Sequence, residues 1–376
     1  MIYFDNSASS LIKPMCVKRA IVDALNRYTA NPGRSGHKMS QLVGEQIFET
    51  RELVKQFFNA DNYDVVFTKN CTESLNLAIF GSLKPGDHVI TSCYEHNSVL
   101  RPLTHLKNKG VELSVIGVDL GEFHLHLKDS IKQNTAMVVL TAMSNVTGEQ
   151  PNLIEVAKIC KQNNIKLLVD GAQASGHKNI DMQEIGADFY TFSGHKGLCS
   201  ITGVGGLLIK NGIELNPLIF GGTGTESESL NQPNDLPEGL EAGTISTISI
   251  ISLKAGLQFL QANFAEIQNK EHELSNYLYS KMHELPQIKL YNSQLQSNVV
   301  SFNIFGAESA EVADILNEKY GICVRSGLHC APLIHKKLGT METGAVRVSL
   351  DFNNTKQEID YFVKAIKEIA LTFKPR

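Results

Sequence analysis

A lysine lies among small and polar residues in Thr191-Phe192-Ser193-Gly194-His195-Lys196-Gly197, directly after the apolar, aromatic run 188–192. Upstream, Leu167-Leu168-Val169 ends on Asp170, and Gln173 follows. An amine and a carboxylate at strand ends suit a pyridoxal phosphate site, where the lysine binds the aldehyde and the carboxylate partners the pyridinium nitrogen. Ser193 and His195 add donors for a phosphate, and Gly194 and Gly197 permit close backbone approach. A lysine in this role must be reachable and gains from a depressed pKa, which a buried, electropositive site provides. Neither half is specific alone, because a lysine near a strand end is most often solvated and an aspartate there is often a helix cap.

Other residues fit the same chemistry. Asn70-Cys71-Thr72-Glu73-Ser74 joins a strand to a helix, so its amides and the Thr72 hydroxyl can cradle a phosphate; an ordinary helix cap is the equal alternative. His96, in Tyr94-Glu95-His96-Asn97, can stack on a ring, although a lone histidine is more often structural. Far downstream lies Arg325-Ser326-Gly327-Leu328-His329-Cys330. There Cys330 sits in a loop-like setting whose positive neighbours, Arg325 and His329, favour the nucleophilic thiolate. Cys323, in an apolar run, reads instead as a small buried hydrophobe. Arg347 interrupts the apolar strand 345–350 and needs a partner; its fork suits a substrate carboxylate, with an internal salt bridge as the alternative. His124 and His126 alternate as on a strand, but no matching ligand set suggests a metal.

The elements that must position these groups alternate along the chain. Strand-like runs at 64–68, 88–92, 111–116, 136–142, 166–170, 188–192 and 204–209 are interleaved with helix-like stretches at 73–80, 98–109 and 153–162. An amphipathic helix at 38–58 precedes them. This pattern predicts an α/β fold, a mostly parallel sheet flanked by helices, with ligands bound beyond the carboxyl ends of the strands. The polar stretch 221–243 reads as a long loop, functional or mobile. A long helix at 248–282 leads to a smaller α+β domain with strands at 298–305 and 345–350 and helices at 310–320 and 355–371. Thr355-Lys356-Gln357-Glu358 opens the last helix as a capping box. The expected domains are 14–258, and 1–13 together with 259–376.

Composition narrows the class. With 376 residues, 42% hydrophobic and 20% charged, the chain is an ordinary globular protein. A net charge of −4 argues against nucleic acid or an anionic membrane as a general partner. Seven scattered cysteines without a CxxC pair suit a reducing compartment, and the N-terminus lacks a signal-like run; the cytoplasm is the expectation.

The motifs together resemble the class V aminotransferase-like, fold-type I pyridoxal phosphate enzymes, specifically cysteine desulfurases of the group-II type, which include selenocysteine lyases. The resemblance spans nearly the whole chain. It includes Tyr3-Phe4-Asp5-Asn6-Ser7-Ala8, residues 31–37, Glu95-His96, Ser144-Asn145-Val146-Thr147-Gly148, Asp170-Gly171-Ala172-Gln173, Ser193-Gly194-His195-Lys196, Glu241-Ala242-Gly243-Thr244 and the Cys330 motif. It implies Lys196 as the Schiff-base lysine, Asp170 as pyridinium partner, Gln173 as the ring-hydroxyl contact and His96 as the stacking and proton-transfer residue. Cys71, Thr72, Ser193 and His195 would hold the phosphate. Thr244 would reach the phosphate of a neighbouring subunit in a homodimer. Asn145, Arg347 and His37 would contact the substrate, L-cysteine or L-selenocysteine, and Cys330 would accept sulfur as a persulfide for a possible acceptor protein. Transamination, β-elimination and a catalytically silent scaffold are the alternatives; a scaffold has no need of Lys196, Asp170, Cys330 and Arg347 together.

Overall fold

A computed structural model describes residues 1–32, 36–292 and 297–373. A seven-stranded sheet runs in the spatial order Tyr63–Thr68, Gly205–Lys210, Phe189–Ser193, Lys166–Asp170, Thr135–Thr141, His88–Ser92, Glu112–Ile116. Its pairs are parallel except those of Gly205–Lys210, which is antiparallel to both neighbours. The near-continuous apolar runs follow from burial on both faces. Val138, Leu140, Leu167 and Val169 feed one core, while their alternates Met137, Val139 and Leu168 feed the other.

A second sheet, Arg325–Gly327, Ala345–Ser349, Val299–Ile304, Ile288–Leu290, is antiparallel throughout. It shares a core with the helix Lys356–Ala370 through Val300, Phe302, Phe362 and Ile366. The capping box opening that helix is present, with Thr355 and Glu358 bonded reciprocally. The chain returns to this unit at its start, since Ile2–Tyr3 pairs in parallel with Ile322–Cys323 and Phe4 joins the same core.

The helix Thr247–His283 serves both units: Ile250, Leu253, Leu257, Leu260 and Ile267 pack in the first core, Leu274, Leu278 and Met282 in the second. We propose that the two domains divide along this helix, somewhat beyond the expected 258/259 boundary, because the change of core occurs there. Among the described residues, no helix is long and apolar enough to cross a membrane.

Two expectations need correction. His124 and His126 lie on the helix Phe123–Ser130, not a strand; Phe123 and Leu127, one turn apart, carry its buried face. Cys323 is only half-buried, because its two-residue strand lies at the margin of the small core.

Candidate functional site

Because these strands are parallel, their carboxyl ends open on one side. Thr141, Asp170 and Thr191 stand in register across three of them. Beyond them lies a cavity of about 500 Å³ lined by Cys71, Thr72, His96, Asn145, Asp170, Gln173, Ser193, His195 and Lys196. Nine of the thirteen site residues expected from sequence thus converge, drawn from segments that span more than a hundred positions.

Lys196 follows the strand Phe189–Ser193 and is half-buried. Desolvation lowers its ammonium pKa, opposed by the nearby Asp170 and Cys71. Asp170 is buried, and its Oδ1 accepts from the Ala172 amide at 3.0 Å. Gln173 is also buried; its side-chain amide donates to the Ser7 carbonyl at 3.1 Å, tying the N-terminal segment to the pocket. His96 caps the helix Asn97–Lys107, its Nδ1 accepting from the Ser98 amide at 3.0 Å, which leaves Nε2 on the ring's far edge. Burial holds its pKa down to about 4, against the pull of Asp170. The ring is therefore neutral near neutral pH and can accept a proton.

The helix Cys71–Ser82 begins at the cavity, where a phosphate could be met. Asn70 caps it, Oδ1 accepting from Glu73 at 3.0 Å, so the ordinary-cap reading holds as well. The first amides of such a helix lie free of intrahelical bonds and favour an anion. The Cys71 thiol is turned away from that end. Its Sγ donates to Thr191 Oγ1 at 3.2 Å and lies 3.5 Å from Asp170 Oδ1, and burial pushes its pKa well up. A phosphate would meet Cys71 through the amide. Gly205 makes room there, since a Cβ on it would sit 2.7 Å from the Cys71 nitrogen.

These donors fit pyridoxal phosphate. His195 Nδ1 is buried without a hydrogen-bond partner among the described residues. Burial keeps that imidazole neutral, with a pKa near 4, helped by Lys196 and Lys13. An orphaned imidazole nitrogen beside a helix N-terminus, an amine and a carboxylate matches an anionic ligand that carries an aldehyde and a basic ring nitrogen.

Cys330 and Arg347 do not line this cavity but adjoin it. Cys330 lines an open groove of about 950 Å³ that shares Thr72, His96 and Ser98 with the cavity. Its carbonyl accepts from the Asn97 amide at 2.6 Å, next to His96. Arg325 Nη2 lies 3.8 Å from the Cys330 sulfur. His329 is not a second positive neighbour. It is buried, and desolvation, reinforced by Arg347, keeps its pKa well below the ordinary value. The sequence shows its type but not that its ring turns inward.

Arg347 is fully buried in its strand. Nη2 pairs with Asp5 at 2.7 Å, so the internal salt bridge exists. Nη1 donates to the Asn145 carbonyl at 3.1 Å, while Nε, though buried, has no partner among the described residues. Asn145 in turn donates to the His329 carbonyl at 2.8 Å. Asp5 was missed as a site residue, because nothing local in the sequence links it to Arg347, 342 positions away.

Two expected residues lie elsewhere. Thr244 is exposed, lining a separate cavity of about 1,120 Å³ with Phe67, Lys69 and Ile250. His37 is exposed at the N-cap of the helix Lys38–Phe57, accepting from Ser40 at 3.2 Å. Residues 33–35 of the 31–37 motif lie outside the described residues. Neither residue touches the Lys196 cavity of its own chain. Glu95, not singled out from sequence, is buried beneath His96. Its Oε1 accepts from Ser92 Oγ at 2.6 Å and from the Thr141 amide at 3.1 Å, and burial raises its pKa to about 8.

The aminotransferase class-V family profile matches residues 2–362. A probable cysteine desulfurase of Pyrococcus abyssi is 36% identical, the alignment covering 100% of this chain and 95% of that protein. Another, of Methanothermobacter thermautotrophicus, is 34% identical over 98% and 94% of the two chains. Among solved structures, the apo cysteine desulfurase of Thermococcus onnurineus superposes with a TM-score of 0.91 at 33% identity, covering 99% and 95% of the chains. The cysteine desulfurase CsdA of Escherichia coli gives 0.87 at 28% identity, with 99% and 95% covered.

Proposed function

The chain belongs to the class-V aminotransferase family, and from that premise we propose that it is a pyridoxal phosphate-dependent cysteine desulfurase. The overall change is L-cysteine plus the Cys330 thiol giving L-alanine plus a Cys330 persulfide. One observation carries the reading: a thiol, Cys330, sits in a groove that shares its wall with the cavity of Lys196 and Asp170.

Lys196 would anchor the cofactor, Asp170 would partner its ring nitrogen, and Thr72, Ser193, His195 and the Cys71 amide would hold its phosphate. When bound, the cofactor supplies an electron-withdrawing ring that takes up charge developing at the substrate's α-carbon. Arg347 and Asn145 orient the substrate carboxylate, Arg347 sharing its fork with Asp5. Burial lowers the Lys196 pKa, which eases loss of its proton and suits it to remove the α-proton. Cys330 attacks the substrate sulfur. A sulfur–sulfur bond forms as the Cβ–S bond breaks, and the electron pair of that bond stays with carbon. One proton, matching the one the Cys330 thiol gives up, completes the methyl group at Cβ, and Lys196 returns the α-proton to Cα. His96, neutral and able to accept, takes the proton that leaves the substrate thiol.

The open groove then exposes the persulfide to an acceptor thiol, on a small molecule or an acceptor protein. Thr244 supports a homodimer in which each copy completes the other's phosphate site, since it is exposed and does not line the Lys196 cavity of its own chain. The seven free cysteines suit the reducing cytoplasm. Selenocysteine is the alternative substrate, because the same groups would cleave its weaker carbon–selenium bond.

Alanine and sulfide released together from L-cysteine, in the presence of a reductant, test the reading. Alanine without sulfur release, or pyruvate instead of alanine, would point to another reaction of the family. Rates on selenocysteine and cysteine, compared side by side, decide the substrate.

A further inference from the structure

The Cys330 loop has an uncommon backbone. His329 and Cys330 both take left-handed conformations, φ +50° and +55°, where side chains other than glycine are disfavoured. Two such residues in succession persist only where the surroundings hold them. The loop carbonyls are held from the large domain, by Asn145 at His329 and by Asn97 at Cys330. A third restraint comes from behind. His329 Nε2 lies 3.4 Å from the Arg325 carbonyl, His329 Nδ1 lies 3.4 Å from His335 Nε2, and His335 Nδ1 lies 2.8 Å from Thr340 Oγ1. The two rings are nearly parallel, with planes 24° apart and centres 5.5 Å apart. Both are buried, at 3% and 0% exposure, and Thr340 is at 3%.

The hydrogen positions follow from the partners. A carbonyl only accepts, so His329 carries its proton on Nε2. A neutral His329 must then accept at Nδ1, so His335 donates from Nε2 and itself accepts at Nδ1 from the Thr340 hydroxyl. The chain thus runs one way, from Thr340 through His335 and His329 to the Arg325 carbonyl. It closes a clasp across residues 325–330, the segment that carries the thiol. Charging His329 would place a donor against the donating nitrogen of His335, beside Arg325 and Arg347, in a buried site.

We propose that His335 is a positioning residue for the sulfur-accepting step. By donating to His329 it fixes that ring's tautomer and orientation, and so aims the Cys330 thiol at the cavity mouth. This deepens the desulfurase reading and rests on it for the step concerned, but the clasp can be tested without turnover. His335 touches neither the cavity nor the groove, so cofactor and substrate binding do not depend on it.

The test uses the cofactor-loaded full chain and three variants. His335→Leu removes the chain, His335→Gln keeps a donor and an acceptor on a similar side chain, and Thr340→Val removes only the terminal hydroxyl. The readouts are kcat and KM for L-cysteine, and the rate of iodoacetamide alkylation of Cys330, followed by mass on the tryptic peptide 326–336. His335→Leu should bind pyridoxal phosphate normally and keep KM within about twofold, while kcat falls about ten- to a hundredfold, as expected when a reacting atom is misplaced. Its alkylation rate should depart from wild type by severalfold. His335→Gln should recover most of both, and Thr340→Val should show the same changes at smaller size.

Wild-type kcat and alkylation in His335→Leu would overturn the proposal. So would a parallel loss of kcat, substrate affinity and cofactor that His335→Gln does not relieve, since that marks a packing role alone. Should His335→Leu fail to fold, Thr340→Val decides: unchanged kcat and alkylation would refute the clasp. If the wild type itself releases no sulfur from cysteine, the function reading fails, while altered Cys330 alkylation in the variants still supports the clasp and unaltered alkylation still refutes it.

Discussion

The lysine cradle and the cysteine loop are held by different means. Asp170 ends a buried strand, and Lys196 and His96 stand just beyond the ends of two others, so sheet register fixes their spacing and each needs little local support. Cys330 stands on a left-handed turn of the small unit, yet the following residues Ala331 and Ile334 pack in the core of the large one. Its place depends on hydrogen bonds from Asn97, Asn145 and, through His329, His335. A group held by sheet topology tolerates changes around it, whereas a group held by a network is sensitive to each member of that network.

Lys196→Ala should have the largest effect and should separate the two regions. Activity should fall by more than about a thousandfold, as for loss of a covalent anchor and base. Borohydride should no longer fix cofactor to the protein, while Cys330 alkylation and folding stay near normal. A reducible covalent adduct in the variant would mean that another lysine is the anchor.

Arg347→Lys probes the junction, where Arg347 meets Asn145 and Asn145 meets the His329 carbonyl. Lysine keeps the charge but loses the fork. KM for cysteine should rise about ten- to a hundredfold, corresponding to one charged hydrogen bond of roughly 1.5–3 kcal/mol, with cofactor content unchanged. Normal KM with lost cofactor would reassign Arg347 to the cofactor or the fold.

The loop should also be acid-sensitive. His335 titrates near 4 in the folded chain because of burial, against about 6.5 unfolded. Between those values the unfolded chain binds more protons, so this contribution is fully present above about 6.5 and is lost as pH falls toward 4. His335→Gln should lose less stability between pH 7 and 5 than wild type, by on the order of 1–2 kcal/mol. Equal losses in denaturant melts at the two pH values would show that His335 is not held neutral.

Asp5→Asn should have the smallest effect on catalysis. Asp5 competes with the substrate carboxylate for Arg347, so its neutral form should lower KM severalfold while costing some stability through the uncompensated arginine. A raised KM would show that Asp5 orients the fork instead of competing for it.

The same contrast explains what could be read from sequence. Apolar strands ending on Asp170 and leading into Lys196 announce themselves, because burial on both faces demands continuous apolar runs. The helix Met15–Arg27 gave no such signal: only Val17 and Ala24 are buried, and Met15, Val22 and Leu25 are exposed. The strands Ile2–Tyr3, Ile322–Cys323 and Arg325–Gly327 are too short for a period to register. Cys330 and Arg347 were legible as unusual residues in their settings, but their supports were not. The pairing of Arg347 with Asp5 joins the chain's two ends, and the inward turn of His329 depends on a backbone conformation that residue type does not reveal.

The central claim is that Cys330 receives sulfur from the substrate bound at the Lys196 cavity. Mass mapping of the peptide 326–336 after brief turnover with L-cysteine, without reductant and with alkylation of free thiols, tests it most directly. The account predicts one added sulfur on Cys330 in the wild type. In Cys330→Ala it predicts normal cofactor binding with no alanine formed from cysteine and no sulfur released. Full desulfurase activity in that variant, or added sulfur found only on another cysteine, would contradict it.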